Sequence, residues 1–162
     1  EHGRSLVHAD FSPKNLLVFE GGLLLVDFET GHFGDPAFDL GFFLSHLVLK
    51  AAHHAPRQAG MLELAERFWS CYQAGMAAIG PAEWVGLEAR AAQNLAGCAW
   101  ARLEGTSQVD YLADPARRDA VLGFCRELFD RPAGGVGEAL ASLDSRLHAV
   151  VRANDGPNQD AP

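Results

Sequence analysis

The sequence predicts an α+β domain, mainly α, with one β-hairpin followed by about five helices. Three observations predict it. Two short apolar runs flank the turn Glu20-Gly21-Gly22 near the start. Everything beyond residue 36 carries apolar residues at helical rather than alternating spacing. The helical stretches are set off by Asp35-Pro36, Pro56, Gly80-Pro81 and Asp114-Pro115, each a start or stop signal.

The elements follow in order. Residues 1–15 read as a lead-in and a loop, 16–19 and 23–27 as the hairpin strands, and 31–36 as loop again. The first helix opens at Asp35-Pro36, carries Phe38, Phe42, Leu44, Leu47 and Leu49, and fades near His53-His54. A second runs from Pro56 to about Ile79 with Leu62, Ala65, Phe68, Trp69 and Tyr72 on its apolar side. A third is expected from Glu83 to about Leu103, a fourth from Asp114-Pro115 to near Arg131-Pro132, and a fifth from Gly137 to about Arg152. Residues 1–152 then form one domain and the polar, proline-bearing residues 153–162 a disordered tail. The chain starts Glu1-His2-Gly3 without methionine, which is expected of a fragment or an excised domain.

Composition narrows the function. Nearly half of the 162 residues are apolar in mixed sequence, as expected of a folded globule. The formal charge of −8, with basic residues scattered singly, argues against nucleic acid as a partner. The apolar runs are too short to span a membrane, and no secretory signal opens the sequence, so a cytoplasmic protein is expected. Cys71, Cys98 and Cys125 form no CxxC pair and are expected to be buried helical thiols in a reducing compartment.

The chemistry concentrates in HADFSPKNLLVFEGGLLLVDFETG, from His8 to Gly31. Extended residues alternate faces, so Asp27 and Glu29 point the same way if the second strand reaches them. Antiparallel pairing brings Asn15, just before the first strand, beside the end of the second. Asp27 and Asn15, with Glu29 as a further candidate, thus offer hard oxygen donors suited to Mg²⁺. Asp10 lies in the same loop, where it would face a hydroxyl attacking a phosphate.

These residues resemble a known family. His8, Asp10, Pro13, Asn15, Leu16 and Leu17 match the pattern H-x-D-x-x-P-x-N-L-L and resemble the catalytic loop of the protein-kinase-like fold. The block VDFETGHFGDPAFDLG, with Asp27-Phe28-Glu29, Gly34-Asp35-Pro36 and Asp39-Leu40, resembles the aminoglycoside phosphotransferase and choline-kinase-like branch. ARLEGTSQVDYL, residues 101–112, is similar to a segment of bacterial members. The resemblance implies the C-terminal lobe of an ATP-dependent kinase for small-molecule hydroxyls, with an N-terminal lobe expected to pack on it. It implies Asp10 as the catalytic base, Asn15 and Asp27 as ligands of Mg²⁺ on the ATP phosphates, His8 as a brace of the loop, and Asp39 as a hydrogen-bond acceptor for the loop's backbone. Members usually carry Gly where this chain has Ala9. Ser12 stands where protein kinases have a phosphate-contacting Lys, and Lys14 is out of that register. No glycine-rich loop or strand Lys precedes the motif, so the chain alone is expected to be inactive and to expose an apolar face prone to association.

Duller roles stand beside these. Asp10 alone would suit a loop cap, Asn15 a turn, Asp27 a cap or turn, and Glu29 a solvated surface. Asp35 is expected as a helix cap and Asp39 as a buried structural carboxylate. His46, His53 and His54 read as solvated or core histidines, and Trp69, Trp84 and Trp100 as core or interface. Two other functions compete. A non-catalytic kinase-like binding module fits the missing lobe. A DEDD-type metal-dependent exonuclease fits LLLVDFETG, but the twelve positions from Asp27 to Asp39 leave no room for the strands between its motifs. The acceptor is not readable. Glu83, Glu88, Glu104 and Asp110 on or near the third and fourth helices suggest a cationic one.

Overall fold

A computed structural model of the chain describes residues 5–77, 86–131 and 133–154. The described residues form an α+β fold, mainly α, with five helices and two small two-stranded sheets. The expected hairpin is β2 (Leu16–Phe19) and β3 (Gly22–Leu25), paired in the register Leu16↔Leu25 to Phe19↔Gly22. That register leaves a two-residue loop, and Gly21 takes φ +91°, a conformation side-chain-bearing residues avoid.

The second strand is shorter than expected. It ends at Leu25, and residues 28–30 form a 3₁₀ turn behind a left-handed Asp27. A second sheet pairs β1 (Ser5–Val7) with β4 (His32–Gly34), segments that sequence reading assigns to loops. Three-residue strands are too short for alternation to show.

Helix α1 (Ala37–His53) is the spindle of the domain. It is buried on most sides, as its nearly continuous apolar sequence requires. Helices α2 (Gln58–Met76), α3 (Leu87–Glu104), α4 (Pro115–Asp130) and α5 (Val136–Asn154) complete the bundle. The expected start signals act as such. Asp114 caps α4 by accepting from the backbone N–H groups of Ala116 and Arg117, with Pro115 in the first turn. Asp35 accepts from Ala37 N–H at 3.0 Å, and its carboxylate also takes the Arg90 guanidinium of α3 at 2.7 Å. At the other end of α1, the buried Arg117 of α4 donates to the Ala52 carbonyl at 2.9 Å, meeting an acceptor the helix end leaves open.

α1 and α3 meet at Gly41. A Cβ there would lie 2.5 Å from Asn94 Cβ and 2.5 Å from Leu95 N, so only glycine allows the approach. The expected third-helix start, Glu83, and Trp84 lie outside the described residues, as do the stop Gly80-Pro81, Pro132 and tail residues 155–162. Trp69 is buried, and Trp100 stacks under the Arg126 guanidinium 5.1 Å from its ring centre.

All three cysteines are on helices and unpaired, but they are not uniformly buried. Cys125 is buried and Cys98 half-buried, and burial pushes their thiols up to about 12 and about 11. Cys71 is exposed: α2 buries Leu62, Ala65 and Trp69, and Cys71 falls off that stripe. The hairpin's apolar side chains also face outward, with Leu17, Val18, Phe19, Leu23 and Leu24 all at least half exposed.

Candidate active site

The loop between β1 and β2 is held from beneath by α1. Asp39, in the first turn of that helix, accepts from His8 N–H at 2.6 Å and from Ala9 N–H at 2.9 Å. Asp39 is partly exposed rather than fully buried. Its two bonds fix the backbone where Ala9 takes φ +64°, the left-handed region. A methyl group there costs about 1 kcal/mol that glycine avoids. Ala9→Gly is therefore expected to raise Tm by roughly 2–4 °C. An unchanged or lower Tm in thermal unfolding would show that the loop carries no such strain.

His8 is buried and bridges the loop to the strand end. Its Nδ1 accepts from Asp10 N–H at 3.3 Å and its Nε2 lies 2.9 Å from the Val26 carbonyl, so the neutral ring carries its proton on Nε2. The ring also packs 4.9 Å from Phe28, and Thr30 donates to the His8 carbonyl at 2.8 Å. The turn after β3 is thereby tied to the loop before β2.

Asn15 joins the same parts from the other side. Its backbone carbonyl accepts from Val26 N–H at 3.0 Å, which brings Asp27 up to the loop. Its side-chain amide donates to the Asp10 carbonyl at 2.8 Å and to Asp10 Oδ2 at 3.0 Å. Both acceptors demand an N–H, so the Oδ1 of Asn15 points elsewhere and takes no donor among the described residues.

Asp10 Oδ2 receives a second bond from a charged donor, Lys14 Nζ, at 2.9 Å. Burial alone would push the Asp10 carboxyl up. The hydrogen bonds from Lys14 and Asn15, with the Lys14 charge, outweigh it and hold the group below its usual value. The carboxylate is ionised at neutral pH, with Oδ1 left to meet a hydroxyl. Lys14 is the contact that sequence reading passed over. Its signal was the spacing Asp10-x-x-x-Lys14 across a proline-started turn.

Asp27 sits exposed at φ +71°, and its carboxylate accepts no hydrogen bond among the described residues. Aspartate tolerates this conformation better than most side chains. Glu29 is exposed within the following 3₁₀ turn. Because the strand ends before either residue, the alternation that would align Asp27 with Glu29 does not apply. No three His, Cys, Asp or Glu side chains cluster as a metal cage among the described residues. Asn15 Oδ1 and the Asp27 carboxylate nevertheless suit Mg²⁺, which commonly takes one or two protein oxygens and completes its shell with water and phosphate.

Fold and site together are those of a kinase-like domain: a mainly helical body carrying an acid-bearing loop beside a strand-end amide. A profile of the APH phosphotransferase enzyme family matches residues 1–81, half of the 162-residue chain, and the chain belongs to that family. It is 35% identical over 65 residues to a methylthioribose kinase of Cronobacter sakazakii, covering 40% of this chain and 16% of the relative. It is 34% identical over 64 residues to a methylthioribose kinase of Klebsiella pneumoniae, again 40% of this chain and 16% of the relative. The match therefore spans about a sixth of those curated relatives. No solved structure matches the chain significantly. Among the described residues, no helix is long and apolar enough to cross a membrane.

Proposed function

We propose that residues 1–152 are the C-terminal lobe of a cytoplasmic, ATP-dependent kinase that phosphorylates a hydroxyl of a small molecule, with residues 153–162 as a tail. One observation carries this reading: Asn15 hydrogen-bonds Asp10 while its backbone draws Asp27 to the same loop. A proton acceptor and two hard oxygen donors thereby share one junction. Membership of a phosphotransferase family and relatives named for a small sugar kinase support it.

On this reading Asp10 orients the acceptor hydroxyl through Oδ1 and takes its proton as the new oxygen–phosphorus bond forms. The bond from the γ-phosphorus to the β–γ bridging oxygen breaks, and ADP leaves. Asn15 Oδ1 and Asp27 would hold Mg²⁺, which would supply positive charge to the ATP phosphates. Asp39 and His8 keep the loop in place, and pre-positioning supplies much of the rate. A nucleotide-covering N-terminal lobe is the expected partner, with neither nucleic acid nor membrane involved. This chain by itself is inactive on this reading.

Asp27 and Glu29 differ in expected effect. In a protein carrying the upstream coding sequence, Asp27→Ala is expected to abolish transfer. Glu29→Ala should cost less than about tenfold, since its turn carries it away from the metal oxygens. Steady-state kinetics at several Mg²⁺ concentrations distinguish them, and equal losses would make Glu29 a ligand too.

The direct test is calorimetric titration of Mg·ATP into this chain and into the extended protein. Binding by the extended form alone is the expected result. A well-folded extended protein that binds no Mg·ATP would favour the non-catalytic binding module.

A further inference from the structure

Between Asp10 and Asn15 the loop sorts its side chains by what they can reach. Phe11 stacks inward at 4.9 Å on Phe43 of α1. Ser12 is fully buried, and its Oγ has no partner among the described residues. Pro13 starts the 3₁₀ turn and carries no polar side-chain group. Lys14 is the one that stands in solvent. Its side chain is 64% exposed, yet its Nζ comes back to 2.9 Å from Asp10 Oδ2.

An exposed ion pair at this spacing stabilises a fold little, because water screens it and a long side chain must be held still. Its place matters more than its strength. The ammonium has three N–H donors, and one of them meets Asp10. The other two have no partner among the described residues and are open to an oxygen arriving from solvent. The Asn15 amide donates to the same Oδ2 at 3.0 Å, so Lys14 and Asn15 stand as neighbours over one carboxylate oxygen.

Transfer of a phosphoryl group to a hydroxyl brings an anion within reach of that ammonium. A hydroxyl bonded to Asp10 Oδ1 lies about 2.6–3.2 Å from it, and the phosphorus it attacks lies about 3–3.5 Å further on. The phosphoryl oxygens therefore arrive within the swing of a lysine side chain already resting on the other oxygen of Asp10. Charge spread over those oxygens is what a pre-placed cation stabilises, with no proton to move. Mg²⁺ on Asn15 and Asp27 would meet that charge from the nucleotide side. Lys14 adds positive charge beside the base.

We propose that Lys14 is a catalytic residue of the transfer, bridging Asp10 Oδ2 and an oxygen of the γ-phosphoryl group. It keeps its protons throughout. Asp10 takes the hydroxyl proton, the new oxygen–phosphorus bond forms, and the bond to the β–γ bridging oxygen breaks as ADP leaves. Lys14 holds the moving charge and sets base and phosphoryl group at a fixed separation. This rests on the phosphotransferase reading above and adds the residue that grips the terminal phosphate. The role falls to the fourth position after Asp10, where the resemblance to kinases assigns none.

The test uses the protein extended with its upstream coding sequence, and it reads binding rather than turnover. Calorimetry compares Mg·AMP-PNP, which keeps a γ-phosphoryl group, with Mg·ADP, which has none. Lys14→Met is expected to weaken Mg·AMP-PNP about tenfold, the loss of one charge-assisted hydrogen bond, and to leave Mg·ADP within about twofold. Retained Mg·ADP binding also shows that the loop of the variant is intact. Lys50→Met removes the same charge from the last turn of α1, where Lys50 lies over the Tyr111 ring, and is expected to change neither affinity. A loss on Mg·AMP-PNP no greater than that on Mg·ADP, or the same selective loss in Lys50→Met, would overturn the role. A parent protein that binds neither nucleotide would instead defeat the phosphotransferase reading, and this role with it.

Discussion

Asp10→Ala is expected to cut phosphoryl transfer by about 10³-fold in the protein extended with its upstream sequence, while Mg·ATP binding persists. The carboxylate is the group that can accept a hydroxyl proton, and alanine offers no acceptor in its place. Two donors, Lys14 and Asn15, already converge on Oδ2, which fixes the direction in which Oδ1 faces. The variant removes that acceptor without removing Asn15 Oδ1 or Asp27, so binding and chemistry separate. Coupled ADP release gives kcat, and calorimetry gives the nucleotide affinity. Turnover within a few-fold of the parent would sink the role given to Asp10.

The second large effect is on stability. Asp39→Ala strands the N–H groups of His8 and Ala9, which now donate at 2.6 and 2.9 Å. Leaving such donors unpaired costs on the order of 1–3 kcal/mol each, and partial access to water softens it. A loss of about 3 kcal/mol, or a fall in Tm of roughly 10 °C, is expected. Asp39→Asn keeps one acceptor oxygen and should lie between. The ordering is read by thermal unfolding of this chain, and a Tm for Asp39→Ala within about 2 °C of the parent would contradict it.

The parts of the fold legible in sequence were those written in local chemistry. Asp114-Pro115 begins α4 because a carboxylate and a proline both suit a helix start, and nothing distant alters that. The Glu20-Gly21-Gly22 turn is similarly self-contained. The β1–β4 sheet was not legible: its six residues are joined only by pairing across the site. The end of β3 at Leu25 was missed because apolar pattern continues to Val26, while the left-handed turn of Asp27 depends on tertiary ties through His8 and Asn15.

The site divides in the same way. Asp10, Asn15 and Asp27 were nameable from the residues themselves and His8 from the family resemblance, and the structure brings the four to one junction. Lys14 was passed over because it is out of the register of the protein-kinase Lys, and its four-residue spacing from Asp10 was not weighed. Even Cys71 could have been placed on the exposed side of α2 by phasing it against Leu62, Ala65 and Trp69.

Gly41 has a consequence for how such a domain can diversify. The α1–α3 crossing admits no side chain there, and Asp39, two residues earlier, grips the loop of Asp10. A shift of α1 against α3 would therefore be passed on to the loop that carries Asp10. A crossing that admits no side chain thus limits how far sequence change along either helix can displace that loop.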